Sequence, residues 1–286
     1  MMTAQLIDGK LISAQIKEEA AKEAAQIKAK GVNPCLAVVL VGNDSASQVY
    51  VNNKKKACEA VGIRSVSYEL GADTTEEELL HLVAQLNADE AVHGILVQMP
   101  LPKQINEEKV ILAIDAKKDV DCFHPMNVGL LHTGGKGFLP CTPAGIIELI
   151  KRSGHTIQGQ NCVIIGRSNI VGKPVAMLLM QENGTVTICH SKTRNLAEVC
   201  LGADIIVSAT GKVNTVTADM VKAGAVVIDV GMNRNEAGKL CGDVDFDKVK
   251  EIAGAITPVP GGVGPMTIAM LMKNCLVAAK MQNNLM

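Results

Sequence analysis

Tyr50 and Lys54 stand four residues apart in the segment SASQVYVNNKKKACE, and Ser47 lies one turn before Tyr50. In a helix this spacing puts a hydroxyl, a phenol and an amine on one face, a stripe able to hold a polar ligand and to take or give a proton. The same spacing fits an exposed lysine-rich face, the ordinary fate of Lys54, Lys55 and Lys56, with Val49, Ala57 and Ala60 supplying the buried contacts. Two more polar residues favour the chemical reading. Gln98 ends the apolar run GILVQ just before MPLP, and Asp121 follows a hydrophobic approach in KDVDCFHP. Each falls at the carboxyl end of an expected strand or in its loop, where open α/β sheets bind their ligands.

A second group of residues is suited to an anion. In CVIIGRSNIVGKPVAMLL, Cys162 to Ile165 read as an apolar strand, Gly166 permits a tight turn, and Pro174, which has no amide hydrogen, suits a first helical turn. Exposed amides and the positive dipole at that helix start favour a dinucleotide pyrophosphate. Gly166 and Gly172 are separated by five residues, which departs from the usual GxGxxG spacing and leaves an ordinary βα turn as the alternative. The next strand, Thr185 to Ser191, occupies the place where an acidic residue would bind the ribose hydroxyls of NAD. Here His190, Ser191, Lys192, Thr193 and Arg194 stand instead, and Arg167 sits in the glycine turn, so NADP is favoured over NAD.

The elements that must position these residues alternate between strand and helix. Helices are expected over Leu11 to Lys30, Ser45 to Val61 with a stop at Gly62, and Thr74 to Leu86 opened by the capping sequence Thr74, Thr75, Glu76, Glu77. Strands are expected over Cys35 to Val41, Arg64 to Leu70 and Gly94 to Gln98. After FLPCTP a helix runs from Pro143 to Arg152, and the apolar runs Ala203 to Gly211 and Ala225 to Asn233 read as central parallel strands. Past VPGGVGP a long apolar helix, Met266 to Lys280, is able to return to the first half. The fold class is therefore α/β, with two tandem α/β domains joined by long helices. The first covers 1–140 plus 266–286, and the second, a Rossmann-type dinucleotide-binding domain, covers 141–265.

Bulk composition agrees with an enzyme of this kind. The chain has 286 residues, 48% of them hydrophobic, which is enough for about two domains. A net charge of -1 with dispersed signs argues against a nucleic-acid partner. The lack of Trp, with only two Tyr and three Phe, removes base-stacking platforms as well. The longest apolar runs are strand-length and no charged leader precedes one, so no membrane span or signal peptide is expected. None of the nine cysteines lies in a CxxC pair, and buried reduced thiols in a cytoplasmic protein are the better reading than disulfides or zinc. His93, His124 and His132 lack metal-ligand spacing and read as structural or solvated, while Asp229 and Asp243 read as turn caps.

Taken together, these segments resemble the bifunctional methylenetetrahydrofolate dehydrogenase/methenyltetrahydrofolate cyclohydrolase family of one-carbon metabolism. The carriers are SxxYVxxKxKAC from Ser47 to Cys58, GILVQMPLP from Gly94, KDVD from Lys118, PCTPAGI from Pro140, GRSNIVGKP from Gly166, TVTICHS, and TPVPGGVGPMT from Thr257, spread over essentially the whole chain. The resemblance implies oxidation of methylenetetrahydrofolate with NADP, hydration of the product to formyltetrahydrofolate, and a homodimer. It implies a folate site at Ser47, Tyr50, Lys54, Gln98 and Asp121, and an NADP site at Gly166, Arg167, Ser168, Ser191 and Met232. It further implies that Pro260 and Gly261 belong to a wall between the two.

These residue types suit that chemistry. Hydride loss leaves a cation shared by two nitrogens, so the first step needs orientation more than an acid or base. Hydration differs, because water attacking the cationic carbon must shed a proton. A like charge about 4 Å away disfavours an ammonium by about 4 kcal/mol at an effective dielectric of 20, so the substrate cation itself favours a neutral Lys54. Lys54 is thus expected to be the hydration base, with Gln98 holding its amine, Tyr50 packing on the pterin, and Asp121 accepting from the amino-pyrimidine edge. Cys122 stands where glycine is usual after KDVD, which matters if that position needs a positive φ. Met99, Val213 and Ala223 also depart from the family pattern without removing a catalytic group. Two rivals are an NADP-linked enzyme of the shikimate-dehydrogenase kind and a sensor that binds without turnover; the motif set from Ser47 to Cys58 and from Thr257 to Thr267 disfavours both.

Overall fold

The computed structural model describes residues 3–285. In chain order the elements are β1 (Gln5–Leu6), α1 (Gly9–Ala29), β2 (Cys35–Val41), α2 (Ser45–Val61), β3 (Arg64–Leu70), α3 (Glu76–Ala88), β4 (Gly94–Val97), α4 (Glu107–Ala113), α5 (Pro125–Thr133) and α6 (Cys141–Arg152). They continue as β5 (Asn161–Ile165), α7 (Gly172–Gln181), β6 (Thr185–Cys189), α8 (Leu196–Leu201), β7 (Ile205–Ser208), β8 (Val226–Asp229), the hairpin β9 (Asn233–Arg234) and β10 (Leu240–Cys241), α9 (Phe246–Val249), β11 (Ala255–Ile256) and α10 (Val263–Gln282). The chain divides into two α/β units, one made of residues up to Ala14 with Thr142–Thr267, the other of Gln15–Cys141 with Ile268–Met286.

The unit containing Gln15–Cys141 is built on a three-stranded parallel sheet in the order β3, β2, β4. β2 and β4 are buried at every position, as strands covered on both faces must be, and their residues are accordingly Val, Leu, Ile, Ala, Cys and Gly. Cys35, Ala37, Val39 and Val41 pack with Leu79, Val83 and Leu86 of α3 in one core. α2 begins at Asp44, whose carboxylate accepts the Ser47 amide at 2.7 Å, and ends at Gly62 in the left-handed region at φ 81°. α3 opens two residues later than the sequence predicts, at Glu76, because the reciprocal cap is made by Thr75 and Glu78. From Ile268 onward α10 belongs to this unit, and its Asn274 donates to the carbonyls of Val120 and Leu139 at 2.7 and 2.8 Å.

The other unit carries a six-stranded, all-parallel sheet in the order β1, β11, β8, β7, β5, β6. β5, α7 and β6 make the expected first βαβ unit, and β7 returns to the opposite side of β5, so the strand order reverses between β5 and β7. A dinucleotide fold binds its ligand outside the carboxyl ends of the strands at such a reversal. Ala203 to Gly211 and Ala225 to Asn233 shorten to Ile205–Ser208 and Val226–Asp229, because the polar residues that follow leave the ladder as loops. One boundary differs from the sequence expectation. The first fourteen residues group with this sheet rather than with the first half, since Gln5 and Leu6 pair with Ala255 and Ile256 and the Gln5 amide donates to the Gly254 carbonyl at 2.9 Å.

Candidate active site

α2 turns one of its three consecutive lysines inward. Lys54 is only 7% exposed, Lys55 reaches outward to Glu69 at 3.0 Å, and Lys56 is exposed. The buried face consists of Ser47, Val51, Ala57, Cys58 and Val61; Val49 and Ala60, expected there from spacing, face outward. The structure thus places Ser47, half-buried Tyr50 and buried Lys54 along one helix. Burial raises the Tyr50 phenol above its ordinary range, so it remains a hydrogen-bond donor at neutral pH.

The Lys54 Nζ donates to the Gln98 Oε1 at 2.9 Å. Gln98 is itself held from two sides: its Nε2 donates to the Met99 carbonyl at 2.6 Å, and its backbone amide donates to the Val39 carbonyl at 2.8 Å, extending the β2–β4 ladder by one residue. The carbonyl oxygen of Gln98 therefore has a fixed direction, and the amine is oriented by it.

Asp121 lies beside this pair. Its carboxyl is raised to about 6, chiefly by burial, which the positive charge of Lys54 opposes; the neighbouring Asp119 adds to the rise and the thiol of Cys141 lessens it. The Cys141 Sγ approaches the Asp121 Oδ1 at 3.9 Å, and burial keeps that thiol protonated well above its usual range, so it acts as a donor. The turn carrying Asp121 is shaped by Asp119, whose carboxylate accepts the amides of Phe123 and His124 at 3.2 and 2.8 Å and the Asn127 Nδ2 at 2.8 Å. Cys122 has φ 62°, the left-handed backbone for which glycine is the natural occupant, and its Sγ donates to the Phe138 carbonyl at 3.3 Å.

Asp119, Cys141 and Asn274 were not singled out by sequence reasoning. A lone Asn in the apolar stretch of α10 and the first acid of KDVD were the available signals.

In the six-stranded unit, Gly166 follows β5, Ser191 follows β6, Met232 follows β8, and Pro260 and Gly261 follow β11, all at the carboxyl edge of the sheet. Gly166 has φ 129°, and a Cβ there would overlap the Ala209 carbonyl oxygen; one at Gly172 would overlap the Gly166 carbonyl. Both glycines are therefore required by close backbone approach. Gly261 is also left-handed, at φ 106°, and Gly9 at the start of α1 leaves no room for a Cβ against the Gly262 carbonyl.

The helix start itself does not offer the amides that the sequence predicts. The Ser168 Oγ accepts the amides of Val171 and Gly172 at 3.1 and 3.3 Å, the Lys173 amide donates to the Ser168 carbonyl at 3.1 Å, and Pro174 has none. In the turn between β5 and α7, the amides without a backbone or side-chain acceptor are those of Arg167, Ser168, Asn169 and Ile170, before the helix begins. A diphosphate fits that stretch, and the Ser168 hydroxyl, already accepting twice, has its own proton to donate. No carboxylate stands at the end of β6, where Lys192 and Arg194 are exposed in a loop closed by the Thr193 Oγ1 on the His190 amide at 2.9 Å. Exposed Arg167 in the glycine turn adds a third cation on this edge, a set that fits a 2′-phosphate better than a free ribose diol.

Comparison with known proteins agrees with both halves. Residues 7–121 match the family model of the tetrahydrofolate dehydrogenase/cyclohydrolase catalytic domain, and residues 140–283 match that of the tetrahydrofolate dehydrogenase/cyclohydrolase NAD(P)-binding domain. The chain is 63% identical over 277 residues to the bifunctional protein FolD of Agathobacter rectalis, covering 97% of this chain and 99% of that one. Among solved structures, the bifunctional methylenetetrahydrofolate dehydrogenase/cyclohydrolase of Campylobacter jejuni superimposes with a TM-score of 0.94 at 51% identity, covering 97% of this chain and 99% of that chain. The Trypanosoma brucei enzyme, solved with NADP and an inhibitor, gives 0.92 at 42% identity, covering 98% and 99%.

Proposed function

The chain belongs to the tetrahydrofolate dehydrogenase/cyclohydrolase family, and we propose that its two reactions are carried by the residues assembled above. It oxidises 5,10-methylenetetrahydrofolate to the methenyl cation with NADP and hydrates that cation to 10-formyltetrahydrofolate. NADP supplies the hydride acceptor, and Gly166, Arg167, Ser168, Ser191 and Met232 are the residues that would hold it.

The observation that carries the reading is the buried Lys54 amine held 2.9 Å from the Gln98 carbonyl oxygen at the end of β4. With one N–H committed to Gln98, a neutral Lys54 presents its lone pair away from that bond, ready to take the proton released when water adds to the cationic carbon. Tyr50 and Ser47 line the same helix face and orient the pterin. Asp121, ionised above about pH 6, offers paired acceptors to the amino-pyrimidine edge. Pro260 and Gly261, in the loop after β11, complete the residues we propose for substrate binding.

The test supplies methylenetetrahydrofolate and NADP, then follows reduced nicotinamide together with the rise and decay of the methenyl species. Wild-type enzyme should give both signals, with decay faster than in buffer. Lys54→Met should lower catalysed hydration by about a thousandfold and let the methenyl species accumulate. Decay at the wild-type rate in that variant would remove Lys54 as the base.

Assembly and location extend the same reading. The chain works as a homodimer in the cytoplasm: β6 is the open edge of its sheet with Ile188 exposed, an edge suited to a second copy, and all nine cysteines are free thiols. Light scattering at working concentration checks the dimer. Among the described residues no helix is long and apolar enough to cross a membrane.

A further inference from the structure

Asp243 has no solvent exposure, yet its carboxylate accepts six hydrogen bonds. Its Oδ2 takes the Ser208 Oγ at 3.1 Å, the Thr210 amide at 2.7 Å, the Thr210 Oγ1 at 2.9 Å and the Gly211 amide at 3.3 Å. Its Oδ1 takes the Lys212 amide at 3.0 Å and the Asn233 Nδ2 at 2.9 Å. Five of these donors belong to the segment 208–212, by which the chain leaves β7. The sixth begins the segment that follows Met232.

A charge sealed from water is tolerated only when so many donors surround it, and the donors are fixed in return. Asp243 is itself fixed by Asp229 at the end of β8, whose Oδ1 accepts the amides of Gly231 and Asp243, both at 2.9 Å, and whose Oδ2 accepts the Val244 amide at 3.0 Å. Gly231 and Gly242 lie where the two segments cross, and a Cβ on either would overlap the facing carboxylate.

The held loop is one wall of the strand reversal. β5 and β7 are the neighbours on either side of it, and the Gly166 turn packs against the Ala209 carbonyl without room for a Cβ. We infer that Asp243 is a positioning residue for the dinucleotide: its buried charge holds the exit loop of β7 in the shape on which the Gly166 turn rests. Cofactor binding therefore depends on a carboxylate that sits behind that loop. The inference rests on the NADP reading above and goes beyond it by assigning a residue the cofactor does not need to touch.

Asp243→Asn is the direct test. It keeps the shape but turns an N–H2 group toward amides that need an acceptor. In the full-length protein, NADP affinity by titration calorimetry should fall about tenfold or more, and the KM for NADP should rise in step. The dehydrogenase kcat at saturating NADP should change less than about threefold, and hydration of supplied methenyl substrate, which uses the other unit's residues, should stay within about twofold. Ser208→Ala, which keeps the charge and removes one buried donor, should weaken NADP about threefold, and it carries the test if Asp243→Asn does not fold. Wild-type affinity in both variants would overturn the inference, as would hydration falling in parallel with affinity, which marks a general loss of fold. Wild-type protein that fails to bind NADP would overturn the cofactor reading and the inference with it.

Discussion

The two α/β units follow the same construction rules and present their chemistry in opposite ways. The three-stranded unit offers side chains: the amine of Lys54 on α2, the carbonyl of Gln98 at the end of β4, and the carboxylate of Asp121 in the turn between α4 and α5, where the strand expected before it does not form. The six-stranded unit offers backbone: the amides after Gly166 and the loops after β7 and β8, with its acids turned inward to hold those loops. A site made of side chains is sensitive to what a residue is. A site made of backbone is sensitive to where the chain can go, so glycines and buried hydrogen bonds govern it.

That contrast orders the experiments beyond Lys54→Met. The largest effect belongs to Gly166→Val. A φ of 129° and the overlap with the Ala209 carbonyl should weaken NADP by about a hundredfold while hydration of supplied methenyl substrate continues. Parallel loss of both activities would show that the two units do not fail separately.

Asp121→Asn comes next, with a rise of about tenfold in the KM for the folate substrate. The pH dependence sharpens it. Because burial holds the Asp121 carboxyl near 6, the wild-type group gains a proton as pH falls through that value and loses its paired acceptors. Substrate affinity should therefore drop on the acid side of about pH 6 and level off above it. The Asn variant, with no proton to gain, should lack that inflection, and a wild-type profile flat from pH 5 to 8 would remove the carboxylate from the binding step. The smallest effect is at Cys122→Gly. Relief of the left-handed backbone, about 1 to 2 kcal/mol, is offset by the lost thiol contact to Phe138 and the greater freedom of glycine in the unfolded chain. Thermal unfolding should shift by only a few degrees, with the folate KM within about twofold of wild type.

What was legible in the sequence follows the same division. The α2 stripe, its stop at Gly62 and the placement of Gln98 came from periodicity and strand ends, which are local signals. For Cys122 the sequence offers only a condition, drawn from the glycine of the family pattern, and the structure meets it with a φ of 62°. Long-range backbone partnerships gave no such signal. Gln5 meets Ala255 across most of the chain, and strands of two residues have no period to read. Asp243 was read as a turn cap, which it is, but spacing could not say that the turn it caps lies more than thirty residues away. Val49 and Ala60 were misplaced because a helix with polar groups on two sides fixes its own rotation only through packing on β2 and β3. Ser168 likewise satisfied the start of α7 through a hydroxyl that the glycine spacing had drawn attention away from.

The partition of the chain at Ala14, Cys141 and Thr267 has an evolutionary consequence. Each crossing falls within or at the first residue of a helix: α1, α6 and α10. Neither half can be inherited as a cassette, since no single cut frees it and every graft must rebuild a helix at each seam, where nucleation is costly. A lineage that changes its nicotinamide preference is therefore confined to altering loops such as the one after β6, leaving the frame that joins the halves intact.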